Sequence, residues 1–339
     1  MLKVDRLVRT AGRIGFDGVL ASLARRPGLL VLAYHRIGEA DGQFFDDELF
    51  SATADGFRDQ LRYLARHFSV LDASAVLKAM RGGRLELDTP SALVTFDDGY
   101  RDNCEVALPI LRELGLPAVF FIAAGYVDSP RLTWWDRVAY VVKHTTRTKL
   151  TLSYPAPETF DLAADGPALT TQRILRAYKR TPQIDPVAFF ERLEHSAEVH
   201  VDSTVLGREL FMTWAHVRAL SAAGMEIGAH TYDHPVLANV SAEEQRRELK
   251  LSKTRLEQEL SGSVRMMSYP VGGPAAFSPA TKTFVREAGY EAAFSYYGGF
   301  NGCDNLDPQD IRRIPVERTD TLASFSSRAS LSNLLPSLR

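Results

Sequence analysis

The chain of 339 residues predicts a protein of the α/β class, with parallel strands inside and helices outside. Short apolar runs typical of buried strands alternate along the sequence with segments of helical periodicity. In addition, acidic and metal-binding side chains follow directly after two of these runs, at residues 97–98 and 230–234. This supports the prediction, because functional groups in such folds lie at the carboxyl ends of the strands.

The first part of the chain contains three predicted strands separated by helices. An apolar stripe of Phe57, Leu61, Leu64 and Phe68 indicates the first amphipathic helix. Gly115 closes the second helix, since glycine is favoured just after a helix end. We predict strands at 28–34, 92–96 and 117–122, and helices at 53–68 and 104–114.

The last third of the chain repeats this alternation. Thr213 and Ser241 are typical N-caps, so a helix is expected to begin after each of them. We predict helices at 213–224, 241–260 and 278–288, and strands at 225–229, 264–269, 291–295 and 312–316.

Asp97 and Asp98 stand side by side after the apolar run 92–96. Two neighbouring carboxylates at a buried strand end repel each other and lose solvation, so both resist ionisation unless a cation is close. A metal ion resolves this conflict if one aspartate binds it and the other remains free as a base.

Two histidines, His230 and His234, follow the predicted strand 225–229. We expect their four-residue spacing to place both imidazoles on one face of a helical turn, close enough to bind one ion. Together with Asp98 they provide three protein ligands and leave coordination positions open. That pattern is typical of a catalytic rather than a structural metal.

The motifs Thr-Phe-Asp-Asp-Gly at 95–99 and His-Thr-Tyr-Asp-His at 230–234 resemble those of the polysaccharide deacetylases of the NodB-homology type, carbohydrate esterase family 4. The resemblance covers roughly residues 28–130 and 210–320. It implies a distorted (β/α) barrel and metal-dependent removal of acetyl from an N-acetylated amino sugar. By position, Asp97 then corresponds to the catalytic base, and Asp98, His230 and His234 to the metal ligands. The ion expected is Zn2+, with Co2+, Ni2+ or Mn2+ as alternatives.

The third motif of this family is altered here. The segment Ser-Tyr-Pro-Val-Gly-Gly at 268–273 is similar to the family's Arg-Pro-Pro-Tyr-Gly, with Ser268 in place of the arginine and Val271 in place of the tyrosine. The backbone N–H of Val271 can still stabilise an oxyanion, since that role requires no side chain. For the missing arginine we suggest Arg313, which lies near the barrel mouth if 312–316 is the last strand. The alternative is that Arg313 is a surface cation.

The proton donor also departs from the family pattern. Many members carry Leu-x-His near the C-terminus, whereas no histidine follows His234 in this chain. His35 ends the first predicted strand, and this placement resembles the members that deacetylate poly-N-acetylglucosamine. The first and last strands of a closed barrel are neighbours, so His35 can occupy the same place. A structural role for a buried His35 is the alternative.

Four aromatic residues near these motifs are candidate substrate contacts. Trp134 and Trp135 are adjacent, and indole rings bind the apolar faces of sugars; core packing is an equally good explanation. Tyr100 and Tyr269, which lie within the first and third motifs, complete the set.

The domain organisation follows from where the alternation is interrupted. Residues 131–212, approximately, separate the two metal-binding motifs and are interpreted as an inserted subdomain at the barrel mouth, either a substrate lid or a partner surface. We expect a strand at 148–154 and helices at 170–179 and 186–194 within it. Residues 28–320 form the main domain, 1–27 an amphipathic N-terminal helix, and 321–339 a C-terminal tail or helix.

Composition limits the functional classes. The net charge of −2 argues against nucleic acid as a partner. Arginines interrupt the N-terminal segment, so neither a secretory signal nor a membrane-spanning helix is expected. Cys104 and Cys303 are expected to be free thiols, although one disulfide would also fit. These features predict a cytoplasmic location. We expect the helix of residues 1–24 either to pack on the barrel or to contact the inner face of the membrane.

Alternative functions remain at this point. A barrel that binds carbohydrate without catalysis fits the altered third motif, and removal of formyl or cleavage of another amide uses the same chemistry. A non-haem iron oxygenase also uses two histidines and a carboxylate, but it usually places the carboxylate two residues after the first histidine. The substrate class expected is an N-acetylated amino sugar or oligosaccharide, free or linked to a nucleotide or a lipid.

Overall fold

The computed structural model of the chain describes residues 26–40 and 44–334. The predicted amphipathic helix of residues 1–24 and its contact with a membrane therefore lie outside the described residues. None of the helices described has the length and the apolar character needed to cross a bilayer.

The strands are, in chain order, β1 Gly28–Tyr34, β2 Arg36–Ile37, β3 Phe50–Ala52, β4 Ser69–Val70, β5 Met80–Arg81, β6 Arg84–Leu85, β7 Pro90–Phe96, β8 Val119–Ile122, β9 Lys149–Leu152, β10 Glu158–Asp161, β11 Glu226–Ala229, β12 Met266–Ser268, β13 Ala292–Phe294, β14 Asn301–Gly302 and β15 Ile314–Pro315. Strands β1, β7, β8, β9, β11, β12, β13 and β15 lie close to the predicted positions, whereas the short strands β2 to β6, β10 and β14 were not predicted.

The main sheet is curled and mostly parallel. Its strand order is β13-β12-β11-β8-β7-β1-β14, with β4 beside β7 and β15 beside β1. Leu32 of β1 pairs with Ile314 of β15, and Phe294 of β13 forms a bridge to Ile311. The segment 311–315 therefore contacts both β1 and β13, which lie on opposite sides of the curled sheet. This arrangement confirms the predicted distorted (β/α) barrel, with its first and last strands as neighbours.

The helices follow the strands and cover the sheet. They are α1 Ala54–His67, α2 Ala73–Ala79, α3 Leu108–Leu114, α4 Ala124–Asp128, α5 Trp134–His144, α6 Leu162–Arg180, α7 Pro186–Ala197, α8 Ser203–Leu210, α9 Trp214–Ala222, α10 Ala242–Leu260, α11 Pro279–Glu287 and α12 Leu322–Leu334. A π-helical turn, Asn103–Ala107, precedes α3, so the helix predicted from residue 104 begins irregularly. Thr213 and Ser241 cap α9 and α10 as expected.

The central strands of the main sheet are buried on both faces. Val94 and Phe96 of β7 pack towards α1 and α3, whereas Leu93 points to the opposite side and packs against Phe121 and Phe294. Alternate side chains of a parallel strand therefore serve two separate parts of the core. This explains why the sequence of β7 is almost continuously apolar up to its carboxyl end.

Residues 134–210 have a core of their own beside the carboxyl ends of the strands. Phe160, Ile174 and Phe189 are fully buried at its centre. Tyr100, which follows the Asp-Asp motif, packs into the same cluster. The inserted segment therefore lies directly against the strand ends that carry the predicted site; its boundaries as a subdomain stay a prediction.

Cys104 and Cys303 are both free thiols, as expected. Their sulfurs contact different backbone carbonyls, those of His216 and Leu87.

Candidate active site

Adjacent strands carry the predicted site residues to one edge of the sheet. Asp97 and Asp98 follow β7, His230 follows β11, and Ser268 ends β12. Arg313 immediately precedes β15 on the other side of β1. Because parallel strands point the same way, their carboxyl ends meet at this edge, and residues far apart in the chain become neighbours.

Asp98, His230 and His234 converge as the sequence predicts, and all three are buried. The Nε2 atoms of the two histidines are 3.0 Å apart, and they lie 3.4 Å (His230) and 3.3 Å (His234) from Asp98 Oδ1. A tetrahedral ion with bonds of about 2.0–2.1 Å keeps its ligand atoms roughly 3.3 Å apart. The three donor atoms therefore have the spacing that a bound metal ion requires.

Hydrogen bonds to the far side of the His230 ring support the same conclusion. His230 Nδ1 lies 2.9 Å from the Ser268 carbonyl oxygen, to which it can only donate. This contact places the proton on Nδ1 and leaves the Nε2 lone pair directed at the site. His234 Nε2 lies 3.0 Å from that atom, so one ion can contact both ring nitrogens. The donor set thus fits a divalent metal.

The histidine segment is a loop, so the predicted helical turn is wrong. Thr231 and His234 both have positive φ, 59° and 55°, and His234 N donates to Thr231 Oγ1. Glu248 of α10 holds the loop, since its Oε2 accepts from the N–H groups of Tyr232 and Asp233 at 2.9 and 2.7 Å. The imidazoles converge because this turn is tight, and not because of helical periodicity.

Gly125 of α4 allows the same loop to pack closely. Its N–H donates to the Tyr232 carbonyl at 2.8 Å. A Cβ at residue 125 would lie 2.6 Å from both the Tyr232 carbonyl oxygen and Asp233 Oδ1. Any larger residue would therefore push the histidine loop away from the strand ends.

Asp97 lies farther from the histidines than Asp98 does, with 3.9 Å between its Oδ2 and His230 Nε2, and it pairs with Arg313. Arg313 Nη1 and Nη2 donate to Asp97 Oδ1 and Oδ2 at 2.7 and 2.6 Å. Arg313 Nη1 also donates to Thr95, and Nε donates to the Ser295 carbonyl. The guanidinium is fully buried, which excludes the alternative that Arg313 is a surface cation.

The charges around Asp97 keep it ionised. Burial acts to raise the pKa of this carboxyl, but Arg313 and then His230 oppose it, and the net shift is below the usual value. The Ser268 hydroxyl donates to Oδ1 at 3.2 Å as well. Asp97 is therefore an oriented carboxylate beside Asp98, His230 and His234, a state in which it can accept a proton.

Backbone strain is concentrated at this site. Of the described residues other than glycine, eight have positive φ, and four of these are Asp98, Thr231, His234 and Val271. Val271, at φ 62°, is the middle residue of a γ-turn in which Gly272 N donates to the Pro270 carbonyl. Positive φ is unfavourable for a β-branched side chain, and such strain is most often found at functional sites.

A cavity of about 300 Å³ opens over the cluster of Asp98, His230 and His234. Asp97, Asp98, His230 and His234 form its floor. Its walls include His35, Asp46, Glu48, Trp134, Trp135, Leu175, Lys179, Tyr269, Val271, Tyr296 and Glu317. The half-buried ring of His35 meets the ring of Tyr296 edge to face, with 5.4 Å between the ring centroids.

The aromatic candidates differ in their access to this cavity. Trp134 and Trp135 line it although both are largely buried, so they serve packing and the cavity wall together. Tyr269 also lines it, but its hydroxyl donates to the Gln309 carbonyl at 2.9 Å. Tyr100 does not reach the cavity, because its side chain is fully buried behind Trp135.

Tyr100 instead joins the inserted segment to the strand end. Its hydroxyl donates to Asp136 Oδ2 and accepts from Trp135 Nε1, both at 2.7 Å. The Trp135 ring then packs on His234, with 4.5 Å between the ring centroids. The inserted segment therefore supports His234 directly.

Sequence reasoning missed two residues that organise the site, Glu248 and Tyr296. Glu248 lies on the buried stripe of α10 together with Leu249 and Ser252. An acid on an otherwise core-facing stripe was a usable signal, since such a group is rarely buried without a partner. For Tyr296, which lines the cavity after β13, the sequence offered no comparable pattern.

Comparison with known families shows which family the chain belongs to. The model of the family described as "Polysaccharide deacetylase" matches residues 85–293, which is more than half of the chain. Among curated proteins, a segment of 113 residues is 26% identical to the poly-beta-1,6-N-acetyl-D-glucosamine N-deacetylase of Escherichia coli K12. That match covers 32% of this chain and only 16% of the Escherichia coli protein.

Solved structures with the same fold include two that align over nearly their whole length. The deacetylase PplD of Streptococcus pyogenes, in complex with acetate, gives a TM-score of 0.58 at 16% identity, covering 89% of this chain and 98% of PplD. IcaB of Ammonifex degensii gives 0.55 at 18% identity, covering 91% and 97%. At these identities the similarity establishes the fold.

Proposed function

Since the chain belongs to the polysaccharide deacetylase family, we propose that it is a metal-dependent hydrolase that removes the N-acetyl group from an amino sugar. The observation that carries the proposal is the division of labour between the two aspartates. Asp98 lies with His230 and His234, whereas Asp97 is held apart by Arg313. A site for binding alone has no use for an oriented free carboxylate beside a metal.

A divalent cation bound by Asp98, His230 and His234 would polarise the acetyl carbonyl and lower the pKa of a water molecule towards neutrality. We propose Zn2+, because two imidazoles and one carboxylate with open positions are a typical catalytic zinc set. The short distances among the three donor atoms support a small ion.

The residues of the chain supply the proton transfers and the charge stabilisation. Asp97 accepts a proton from the attacking water, and its fixed pairing with Arg313 keeps the carboxylate in one orientation. The Val271 N–H has no hydrogen-bond partner among the described residues, and Val271 lines the cavity. It can therefore donate to the oxyanion that develops on the acetyl group.

His35 is the proposed proton donor to the leaving amine. It lines the same cavity and is only half-buried, so its ring is accessible to a substrate. His35 follows β1, which pairs with β15, and this position supports the proposal. An imidazole ring can carry a proton and release it, which suits a general acid.

The substrate class rests on similarity as well as on geometry. The curated Escherichia coli protein acts on poly-beta-1,6-N-acetyl-D-glucosamine, and the family acts on acetylated polysaccharides. We therefore propose an N-acetylglucosamine unit as the acetylated sugar. The walls formed by Trp134 and Trp135 support a saccharide, because indole rings pack on apolar sugar faces.

A screen of N-acyl amino sugars tests this proposal. Purified protein loaded with Zn2+ is assayed for release of acetate, and in parallel for formate, from N-acetylglucosamine oligomers and their N-formyl counterparts. Acetate release that stops with chelator and returns with metal is the expected result. Sugar binding without acyl release from any of them would favour the carbohydrate-binding alternative.

A further inference from the structure

A second cavity of about 750 Å³ opens beside the cavity over the metal ligands. The two share four wall residues, Asp46, Glu48, Leu175 and Lys179, and therefore form one continuous depression. We call the second cavity the lateral groove. A ligand whose sugar lies over the metal ligands would extend into this groove past Lys179.

The lateral groove has one acidic and one basic wall. Residues 46–48 form the acidic wall, where Asp47 is paired with Lys143 at 2.8 Å. The basic wall is one face of α6, with Arg176 and Lys179 a helical turn apart and Arg180 beside them. None of these three side chains has a carboxylate within 4.0 Å among the described residues, and all three are exposed.

The other face of α6 provides an internal comparison. Arg173 pairs with Asp165 and also with Glu158, at 3.5 Å. The helix therefore pairs its arginine on the far face with carboxylates, whereas the three cations along the groove have no carboxylate partner among the described residues; Lys179 Nζ lies over the ring of Trp134, 5.4 Å from its centroid. On a chain with a net charge of −2, such a local excess favours an anionic ligand.

The groove is poorly suited to a neutral glycan. Its described wall residues are Asp46, Asp47, Glu48, Ala139, Lys143, Pro167, Ala168, Thr171, Gln172, Leu175, Arg176, Lys179, Arg180 and Arg318. None of them is aromatic, although aromatic rings are the usual platform for sugar faces. Guanidinium groups instead match phosphate oxygens, which they can bind through two parallel hydrogen bonds.

We propose that the lateral groove binds the phosphate or diphosphate of a carrier attached to the acetylated sugar. The inference rests on the proposed deacetylation and deepens it, because it makes the substrate an anionic glycosyl phosphate and not a neutral polymer. The sugar occupies the cavity over Asp98 and the histidines. Lys179 meets the first phosphate at the junction, and Arg176 and Arg180 hold the phosphates beyond it.

Matched substrates test the charge requirement. Acetate release is compared for N-acetylglucosamine 1-phosphate, UDP-N-acetylglucosamine, a short polyprenyl-diphosphate N-acetylglucosamine and the neutral β-1,6-linked trimer. At low ionic strength we expect kcat/KM for at least one phosphorylated substrate to exceed that of the trimer about tenfold or more, as one charge-assisted contact allows. The advantage should shrink as salt is added. The nucleotide and polyprenyl compounds distinguish the two sources of phosphate.

Variants then locate the effect. The double variant Arg176→Gln/Arg180→Gln should lose most of the advantage of the phosphorylated substrate and leave kcat/KM for the trimer unchanged. The matched control is Arg66→Gln/Arg112→Gln, which removes two exposed arginines that line neither cavity. Equal kcat/KM for charged and neutral substrates, or a double variant that behaves like the control, would overturn the inference while leaving deacetylation intact.

Calorimetric binding of N-acetylglucosamine 1-phosphate separates the two proposals. If no acyl group is released from any compound, deacetylation fails. Phosphate binding in the groove is then still supported if the wild type binds N-acetylglucosamine 1-phosphate more tightly than N-acetylglucosamine, and if the double variant binds the two ligands equally. Binding of vesicles containing phosphatidylglycerol through Arg176 and Arg180, without preference for the charged sugar, would identify a membrane contact and contradict the inference.

Discussion

Replacing Arg313 with methionine removes the only guanidinium that contacts Asp97 among the described residues. Both side chains of the pair are buried, with 0% and 3% of their surface exposed, so solvent cannot compensate the carboxylate. Breaking a buried pair and leaving one charge behind costs about 3–5 kcal/mol of unfolding free energy. An adjacent arginine lowers the pKa of an aspartate by roughly 1–3 units, and the variant loses that effect.

The sign of the pH dependence follows from these shifts. In the wild type the pKa of Asp97 lies below its usual value, so the stability that the pair contributes is present above the unfolded pKa and is lost as pH falls. In Arg313→Met, burial dominates and the pKa rises. The difference in unfolding free energy between the two proteins should therefore increase from pH 5 to pH 8. Since protonated Asp97 cannot act as a base, the acid limb of kcat/KM should move up by roughly 1–3 pH units.

The assay combines acetate release between pH 4 and 9 with urea unfolding at three pH values. Arg312→Met is the matched control, because the neighbouring side chain has no carboxylate partner in the described part of the chain and packs over Tyr297. Arg313→Lys, which keeps the charge but not the paired hydrogen bonds, should give an intermediate shift. The assignment of Arg313 as the residue that orients and ionises Asp97 would be refuted if Arg313→Met still folds and the acid limb of its kcat/KM profile does not move.

Three further predictions concern the support of the metal site. Glu248→Gln should weaken metal affinity about 10- to 100-fold, because the histidine loop loses the carboxylate that accepts from its N–H groups. Competition with a fluorescent chelator measures the affinity, and the exposed Glu243→Gln is the control. Gly125→Ala should cost about 1–3 kcal/mol of unfolding free energy and also reduce metal affinity, because the added Cβ would lie 2.6 Å from the Tyr232 carbonyl oxygen of the histidine loop. The control Gly262→Ala should change neither quantity. Trp135→Phe removes the hydrogen bond to Tyr100 and should lower stability by about 1 kcal/mol in urea unfolding; no change would mean that this bond does not fasten the inserted segment.

The sequence predicted the strand ends well because the information there is local. The run before Asp97 is apolar on both faces, and the caps Thr213 and Ser241 lie at the predicted helix starts. Arg313 could be proposed only because one motif lacked its arginine. Its position beside Asp97 depends on the pairing of β15 with β1, which connects residues at opposite ends of the domain.

The geometry of the histidine loop could not be predicted in the same way. Spacing alone favoured a helical turn, but the loop depends on positive φ at Thr231 and His234 and on a carboxylate from α10. Tertiary contacts determine both features. The burial of Tyr100 behind Trp135 likewise depends on how the inserted segment packs, which the local sequence does not encode.

The most direct test of the account is the Asp97→Asn variant, assayed with its metal content measured in the same sample. Asparagine preserves the size of the side chain and leaves Asp98, His230 and His234 in place. We predict that the metal remains bound while acetate release from N-acetylglucosamine oligomers falls about 100- to 10,000-fold, the usual contribution of a general base. Near-normal release by a fully metal-loaded Asp97→Asn protein would contradict the central claim that Asp97 is the base and Asp98 the ligand.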